Sequence, residues 1–285
     1  AEWPMRIEAI SRLVSRKDTT QILEDSASGA VDLLIGTHRL LSGDVNFKDL
    51  GLIIIDEEQR FGVAHKEKLK QLRRLVDILT MTATPIPRTL HMSMVGVKDI
   101  SSLHEAPEGR APIQTEVCSF DDARFRQIVL RELNRDGQVF WLHNRVQSIE
   151  ECRQRVERLL PESTAVVAHG QMNEHELEDR MLQFIDKKAN ILISTTIIES
   201  GLDIPSANTL IIERADRFGL SQLHQLRGRV GRSHHKAYCY LLVPEDQPLR
   251  SDARQRLQAI EEYSQLGAGF QIAMRDLEIR GAGNI

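Results

Sequence analysis

Short runs of β-branched and aliphatic residues alternate with amphipathic stretches along most of the chain. The apolar runs fall at residues 31–35, 52–55, 78–82, 139–142, 164–168, 191–194 and 209–212. Between them, 121–134 repeats Phe125, Ile128, Val129 and Leu133 at helical spacing, and 147–160 shows the same period. Strands alternating with helices of this length predict parallel α/β sheets. Two prolines and a glycine in 105–112 predict a linker. Past residue 243 the strand pattern stops, and 248–266 and 270–279 read as two helices joined through Gly267 and Gly269. The expected organisation is one α/β region over 1–104, a linker over 105–112, a second α/β region over 113–245 and a helical hairpin over 246–285.

Composition fits this picture. A chain of 285 residues with 41% hydrophobic residues is long enough for about two domains. Its longest nearly pure apolar run, 238–243, is far below the length of a membrane span. Three cysteines, Cys118, Cys152 and Cys239, are odd in number and form no CxxC pair, which points away from a disulfide framework or zinc site and toward a reducing, cytoplasmic setting. The adjacent His234 and His235, and the isolated His169 and His175, likewise lack a zinc-binding framework. Ala1 is followed by no leader pattern and the chain breaks off in Gly283-Asn284-Ile285, so it reads as a fragment of a longer protein. The net charge of −4 does not by itself predict a polyanionic partner. Local clusters do more: 60–74 holds six Lys and Arg against one acid, and 213–236 six against two. Such clusters suit either a polyanion or a solvated helix face.

Candidate chemistry sits where the strands end. The run 52–55 leads into Asp56-Glu57-Glu58-Gln59, placing carboxylates just past a buried strand, where open α/β sheets bind ligands. An Asp there can hold magnesium and an adjacent Glu can orient water at a γ-phosphate, although carboxylates at strand ends are also common solvated caps. Thr82-Ala-Thr-Pro-Ile-Pro-Arg-Thr89 follows another strand, and Gln225-Leu-Arg-Gly-Arg-Val-Gly-Arg232 closes the second α/β region. Arg229 and Arg232, three apart with Gly228 and Gly231 interleaved, are expected to share a helical face and to suit a polyphosphate.

Taken together, these segments resemble a superfamily-two helicase motor. Gly36-Thr-His-Arg-Leu-Leu41 resembles motif Ib, 56–59 motif II, 82–84 motif III, His169-Gly-Gln171 motif IVa, 194–203 motif V and 225–232 motif VI. Asp56-Glu-Glu-Gln-Arg-Phe-Gly-Val63, the 82–89 segment and 218–232 are similar to the branch shared by RecG and the transcription-repair coupling factors (Mfd). The segments 65–74, His91-Met-Ser-Met94 and Arg214-Ala-Asp-Arg-Phe-Gly219 resemble the coupling factors more closely, and 266–281 resembles the translocation hairpin of both.

The resemblance implies an α/β fold of two RecA-like lobes, the first incomplete, followed by the hairpin. It also implies ATP and magnesium as cofactors and double-stranded DNA as partner. RNA polymerase and excision-repair proteins would be engaged through regions outside these residues, and no membrane is involved. Carried over, Asp56 would hold magnesium, Glu57 would activate water, and Arg229 and Arg232 would be arginine fingers. Gln59, Thr82, Thr84, Gly201, Asp203 and Gln225 would bind or sense nucleotide. Thr37, His38, Arg39, Asn144, Arg145, Gln171, Thr195 and Thr196 would contact the DNA backbone, the lesser alternatives being a strand end for Thr195 and Thr196 and a satisfied loop histidine for His38. Arg275 and Arg280 would couple hydrolysis to movement. An aromatic content of 5% disfavours a single-strand stacking platform and agrees with duplex tracking.

Two departures stand out. None of the 17 glycines is followed by Lys, so the phosphate loop GxxxxGK[ST] is missing, and Gln59 stands where related motors often carry His. A RecG-like branch-migration helicase, a DNA-binding module without ATPase activity and an unrelated magnesium hydrolase using Asp56 and Glu57 are the competing readings.

Overall fold

A computed structural model describes residues 4–11, 14–58, 61–82, 99, 101, 103, 111–195, 204–265 and 267–281. The chain divides into two compact units, Ala1–Ala83 and Thr84–Ile285.

The first unit contains β1 (Ile7–Ile10), α1 (Arg16–Ser28), β2 (Leu33–Gly36), a 3-10 turn (His38–Leu41), β3 (Leu52–Asp56), α2 (Val63–Leu72) and β4 (Asp77–Met81). β1 pairs in parallel with β2, and β3 with β4. Ser15 caps α1 by accepting the Asp18 amide at 3.2 Å. At its other end Gly29, at φ 82°, takes the left-handed cap conformation. Alternate strand residues remain exposed on one side, among them Ile7, Ile35, Leu52, Ile54 and Leu79.

The second unit is built on six parallel strands: β5 (Gln114–Ser119), β6 (Gln138–Leu142), β7 (Ala165–Ala168), β8 (Ile191–Ser194), β9 (Ala207–Ile212) and β10 (Tyr238–Val243), in the order β5-β10-β9-β6-β8-β7. Its helices are α3 (Asp122–Leu133), α4 (Ile149–Leu159), α5 (Glu174–Ile185), α6 (Leu220–Arg227), α7 (Ser251–Glu262) and α8 (Gly269–Arg280). The two-residue period of the strands sorts the core onto two faces. Val139, Trp141, Ile191, Ile193 and Ile211 pack with Phe125 and Val129 of α3 and Val156 of α4. Phe140, Leu142, Leu192, Leu210 and Ile212 pack in one cluster with Phe184 of α5, Leu223 of α6, Leu257 of α7 and Ile272 of α8.

Helices α7 and α8 pack on each other, and the pair lies against α6. Three polar ties hold it there. Buried Arg227, the last residue of α6, donates to the carbonyls of Ile260 at 2.6 Å and Tyr263 at 2.7 Å. Arg256 of α7 donates to the carbonyls of Phe218 and Asp216, both at 3.1 Å. Ser221 Oγ donates to the buried Asp276 carboxylate at 3.1 Å.

The arrangement around Arg227 makes the second unit sensitive to acid. His224 Nδ1 lies 3.2 Å from Arg227 Nη2 and accepts its hydrogen bond. Burial first, and the Arg227 charge second, push the His224 pKa down from 6.5 to about 4. Because the folded-state value is depressed, the neutral ring is fully compatible with folding above pH 6.5, and the unfolded chain binds the extra proton as pH falls from 6.5 to about 4. Chemical denaturation across that window is expected to show a loss of about 3 kcal/mol attributable to this group. His224→Gln should flatten that part of the curve, and an unchanged slope in the variant would remove His224 as the cause.

Candidate functional site

In the first unit the acidic segment meets the end of β4. Asp56 ends β3 opposite Met81, the last residue of β4, so Glu57 and Thr82 leave neighbouring strand ends. Glu57 sits in the left-handed region at φ 54° and donates its amide to the Met81 carbonyl at 3.1 Å. A non-glycine residue there is uncommon and costs about 1–3 kcal/mol, which surrounding structure must offset. The Asp56 carboxylate is exposed and makes no ion pair among the described residues. An uncommitted hard oxygen donor at a strand end fits magnesium, which takes one or two carboxylates and keeps its remaining positions for water and phosphate. Glu58 is turned to Arg73, 3.6 Å away. Gln59 and Thr84 lie outside the described residues.

The turn after β2 carries the first group of expected DNA contacts. Thr37 precedes the 3-10 turn, and the His38 ring lies 5.5 Å from that of His65. Arg39 makes a two-pronged pair with Asp44 at 2.7 and 2.5 Å, so a phosphate would compete with that carboxylate.

In the second unit the parallel sheet delivers the other contacts to a single edge. Exposed Asn144 and Arg145 follow β6, exposed Gln171 follows β7 and half-buried Thr195 follows β8. A cavity of about 460 Å³ opens between the Val146 and His169–Met172 turns, with Arg153 and Arg180 in its lining. Thr196, Gly201 and Asp203 lie outside the described residues.

One expectation is corrected. Arg229 and Arg232 do not share a helical face, because α6 ends at Arg227 with Gly228 as its cap. They leave a turn in which the Arg229 amide bonds the Leu226 carbonyl at 3.0 Å and Gly231 takes φ 74°. A Cβ at Gly231 would also stand 3.1 Å from both Ala237 Cβ and Ile113 Cγ1, so position and backbone both call for glycine. Gln225 remains in α6, one turn before. Arg275 is bound to Glu278 at 2.7 Å with both side chains well exposed, the kind of surface pair that contributes little. Arg280 is the last residue of α8. The charged groups that do tie α7 and α8 to the segment before Arg229 are Arg227, Arg256 and Asp276. A charged residue within the apolar stripe of a helix was the signal for them in the sequence.

The three cysteines are free thiols. Burial pushes their pKa values up, to about 12 for Cys239, so they are poor nucleophiles and metal ligands.

Comparison with known proteins points to helicases. Residues 2–93 match the DEAD/DEAH box helicase family and residues 123–234 the helicase conserved C-terminal domain. The chain is 56% identical over 284 residues to transcription-repair-coupling factors of Staphylococcus epidermidis (strain RP62A) and Staphylococcus aureus (strain USA300), covering 100% of this chain and 24% of each relative. It therefore spans about a quarter of the length of those relatives. Among solved structures, RecG bound to a three-way DNA junction is similar with a TM-score of 0.75 and 35% identity, over 99% of this chain and 37% of that one. The Saccharomyces cerevisiae Dbp5 variant L327V bound to RNA and ADP BeF3 shares the fold alone, with a TM-score of 0.59 and 15% identity over 91% of this chain and 68% of that one. With the two helicase-family matches in chain order on RecA-like parallel-sheet units, the chain carries the DEAD/DEAH box and conserved C-terminal domains of a superfamily-two helicase and is similar to RecG and the transcription-repair-coupling factors.

Proposed function

We propose that the chain is the motor segment of an ATP-dependent double-stranded DNA translocase of the coupling-factor type, which displaces stalled RNA polymerase during DNA repair in the cytoplasm. The observation that carries this reading is the 56% identity to coupling factors along the whole chain. The meeting of Asp56, Glu57 and Thr82 at adjacent strand ends supports it. RNA polymerase and excision-repair proteins would bind regions beyond these residues. The likeness to RecG supports a second reading, a branch-migration helicase.

In the proposed mechanism Asp56 holds magnesium, which supplies charge neutralisation at the phosphates when bound. Glu57, set by its left-handed backbone, orients the attacking water and takes its proton. Arg229 and Arg232 stabilise negative charge as the γ-phosphate departs. Gln59, Thr82, Thr84, Gly201, Asp203 and Gln225 report nucleotide state. Thr37, His38, Arg39, Asn144, Arg145, Gln171, Thr195 and Thr196 hold the duplex through its phosphates without reading bases. Arg280, with Arg275 as helper, transmits movement from α8. The domain limits proposed are 1–104, 105–112, 113–245 and 246–285.

Three experiments test this. The 285-residue chain alone should have negligible ATPase activity, since it contains no phosphate loop; robust duplex-stimulated phosphate release by it would sink the assignment. In the full-length protein, Glu57→Gln should retain nucleotide binding and abolish turnover, while Arg229→Ala or Arg232→Ala should each cost about 10³ in rate. Near-normal steady-state kinetics in all three variants would mean that these residues are structural. Arg280→Ala should leave duplex-stimulated hydrolysis largely intact and stop triplex-strand displacement, with Arg275→Ala much milder because Glu278 already engages that side chain. Loss of hydrolysis in step with displacement would rule out a transmission role for Arg280.

A further inference from the structure

Trp141, His143, Ser148, Cys152 and Glu213 form a cluster that none of these roles uses. His143 follows β6 and Glu213 follows β9, and the ladder fixes both: the His143 amide donates to the Ser194 carbonyl at 2.8 Å and the Glu213 amide to the Leu142 carbonyl at 3.0 Å. Glu213 Oε1 accepts from the indole Nε1 of buried Trp141 at 2.9 Å and lies 3.7 Å from Cys152 Sγ. Its Oε2 is 2.5 Å from His143 Nδ1. Nε2 of the same ring reaches Ser148 Oγ, at the start of α4, at 2.9 Å. The imidazole therefore bridges the two ends of the 143–148 loop, and Asn144 and Arg145 stand exposed between them.

His143, Cys152 and Glu213 also bring three possible ligand atoms within 4.8 Å of one another. Hydrogen bonds already occupy both carboxylate oxygens and both ring nitrogens, and burial keeps the thiol protonated. The cluster is complete as a hydrogen-bond network.

We propose that Glu213, His143 and Ser148 form a brace that positions the 144–147 loop for the DNA backbone, making His143 and Glu213 positioning residues for duplex binding. This rests on reading Asn144 and Arg145 as phosphate contacts. An exposed arginine on an open loop loses conformational freedom when it engages a phosphate. Closing the base of the loop through the His143 ring shifts that loss to folding, and binding then starts from an ordered loop. Glu213 gives the brace its fixed end, since the Trp141 indole and the β6–β9 ladder both hold it. The next residue, Arg214, takes φ 51° and opens the segment leading to α6. The brace thus anchors the loop to the strand end from which the Arg229 segment departs.

The brace makes different demands on its members. His143→Leu and Ser148→Ala each break the bridge across the loop. Glu213→Gln keeps it, because the amide oxygen can still accept from Trp141 while the amide nitrogen donates to Nδ1 of the alternative tautomer, whose Nε2–H then donates to Ser148.

In the full-length protein, fluorescence anisotropy with a 30-base-pair duplex at fixed salt should show about tenfold weaker binding for His143→Leu and for Ser148→Ala, and binding within about twofold of wild type for Glu213→Gln. Added to Arg145→Ala, His143→Leu should cost much less than it does alone, since it acts in large part through that arginine. Unchanged affinity in both His143→Leu and Ser148→Ala, or full additivity with Arg145→Ala, would overturn the brace. Should His143→Leu fail to fold, Ser148→Ala carries the same comparison. A wild-type protein that binds no duplex would overturn the functional reading instead. Amide exchange in 144–147 then decides the brace alone: acceleration of about tenfold in Ser148→Ala supports it, and unchanged protection refutes it.

Discussion

The parallel ladder through β6 is the constraint on which the second unit depends. β6 pairs with β8 on one side and β9 on the other, and all five of its residues are buried. Parallel pairing requires every return connection to pass over a face of the sheet, so all six strands end at the same edge. Polar residues that could not be tolerated one position earlier can be displayed there. His143 and Glu213 mark the transition, since their amides still belong to the ladder while their side chains have left the apolar core. A slip of one residue in β6 would exchange Trp141 and Phe140 between faces and turn the His143 ring away from Glu213.

Buried charge fixes the helical tail to this frame. Burial lowers the Arg227 pKa, yet a guanidinium starts from so high a value that it remains charged. Its desolvation is offset by the carbonyls of Ile260 and Tyr263, groups at the end of α7 that lack helical partners of their own. Arg256 performs the reciprocal task from α7, taking the carbonyls of Asp216 and Phe218 just before α6. Each arginine thus satisfies backbone groups of the other segment, and removing Arg227 would leave the buried Ile260 carbonyl unpaired at a cost of about 1–3 kcal/mol. The turn carrying Arg229 and Arg232 follows directly from a helix held in this way.

The buried strands were legible in the sequence because a strand covered on both faces is apolar along most of its length: β6, β8 and β9 are buried throughout, with polar residues only at Gln138, Ser194, Asn208 and Thr209. β1 and β5 escaped the same reading. β5, Gln114-Thr-Glu-Val-Cys-Ser119, is an edge strand bonded only to β10, so polar side chains are admissible and the apolar run disappears. The strand-end residues were legible as motifs, while their geometry was not. The spacing of Arg229 and Arg232 suggested a helical face, but the positive φ of Gly231 comes from close packing against Ile113 and Ala237, residues remote from it or beyond it in the chain. The His143–Glu213 pair joins positions 70 residues apart, and no local pattern encodes it.

The first unit shows how a strained residue gains its support. Glu57 holds a left-handed backbone that its own side chain disfavours, and its amide is bonded to Met81, at the end of the neighbouring strand. That bond exists because the β3–β4 register places Asp56 opposite Met81. The geometry of the carboxylate pair is therefore set by β4 as much as by β3. Thr82 follows Met81 directly, so the start of the connection after β4 is tied to the Glu57 backbone through the Met81 carbonyl. Two strand ends that look independent in the sequence are in this way joined, and the left-handed backbone at Glu57 is held by its neighbour as much as by its own strand.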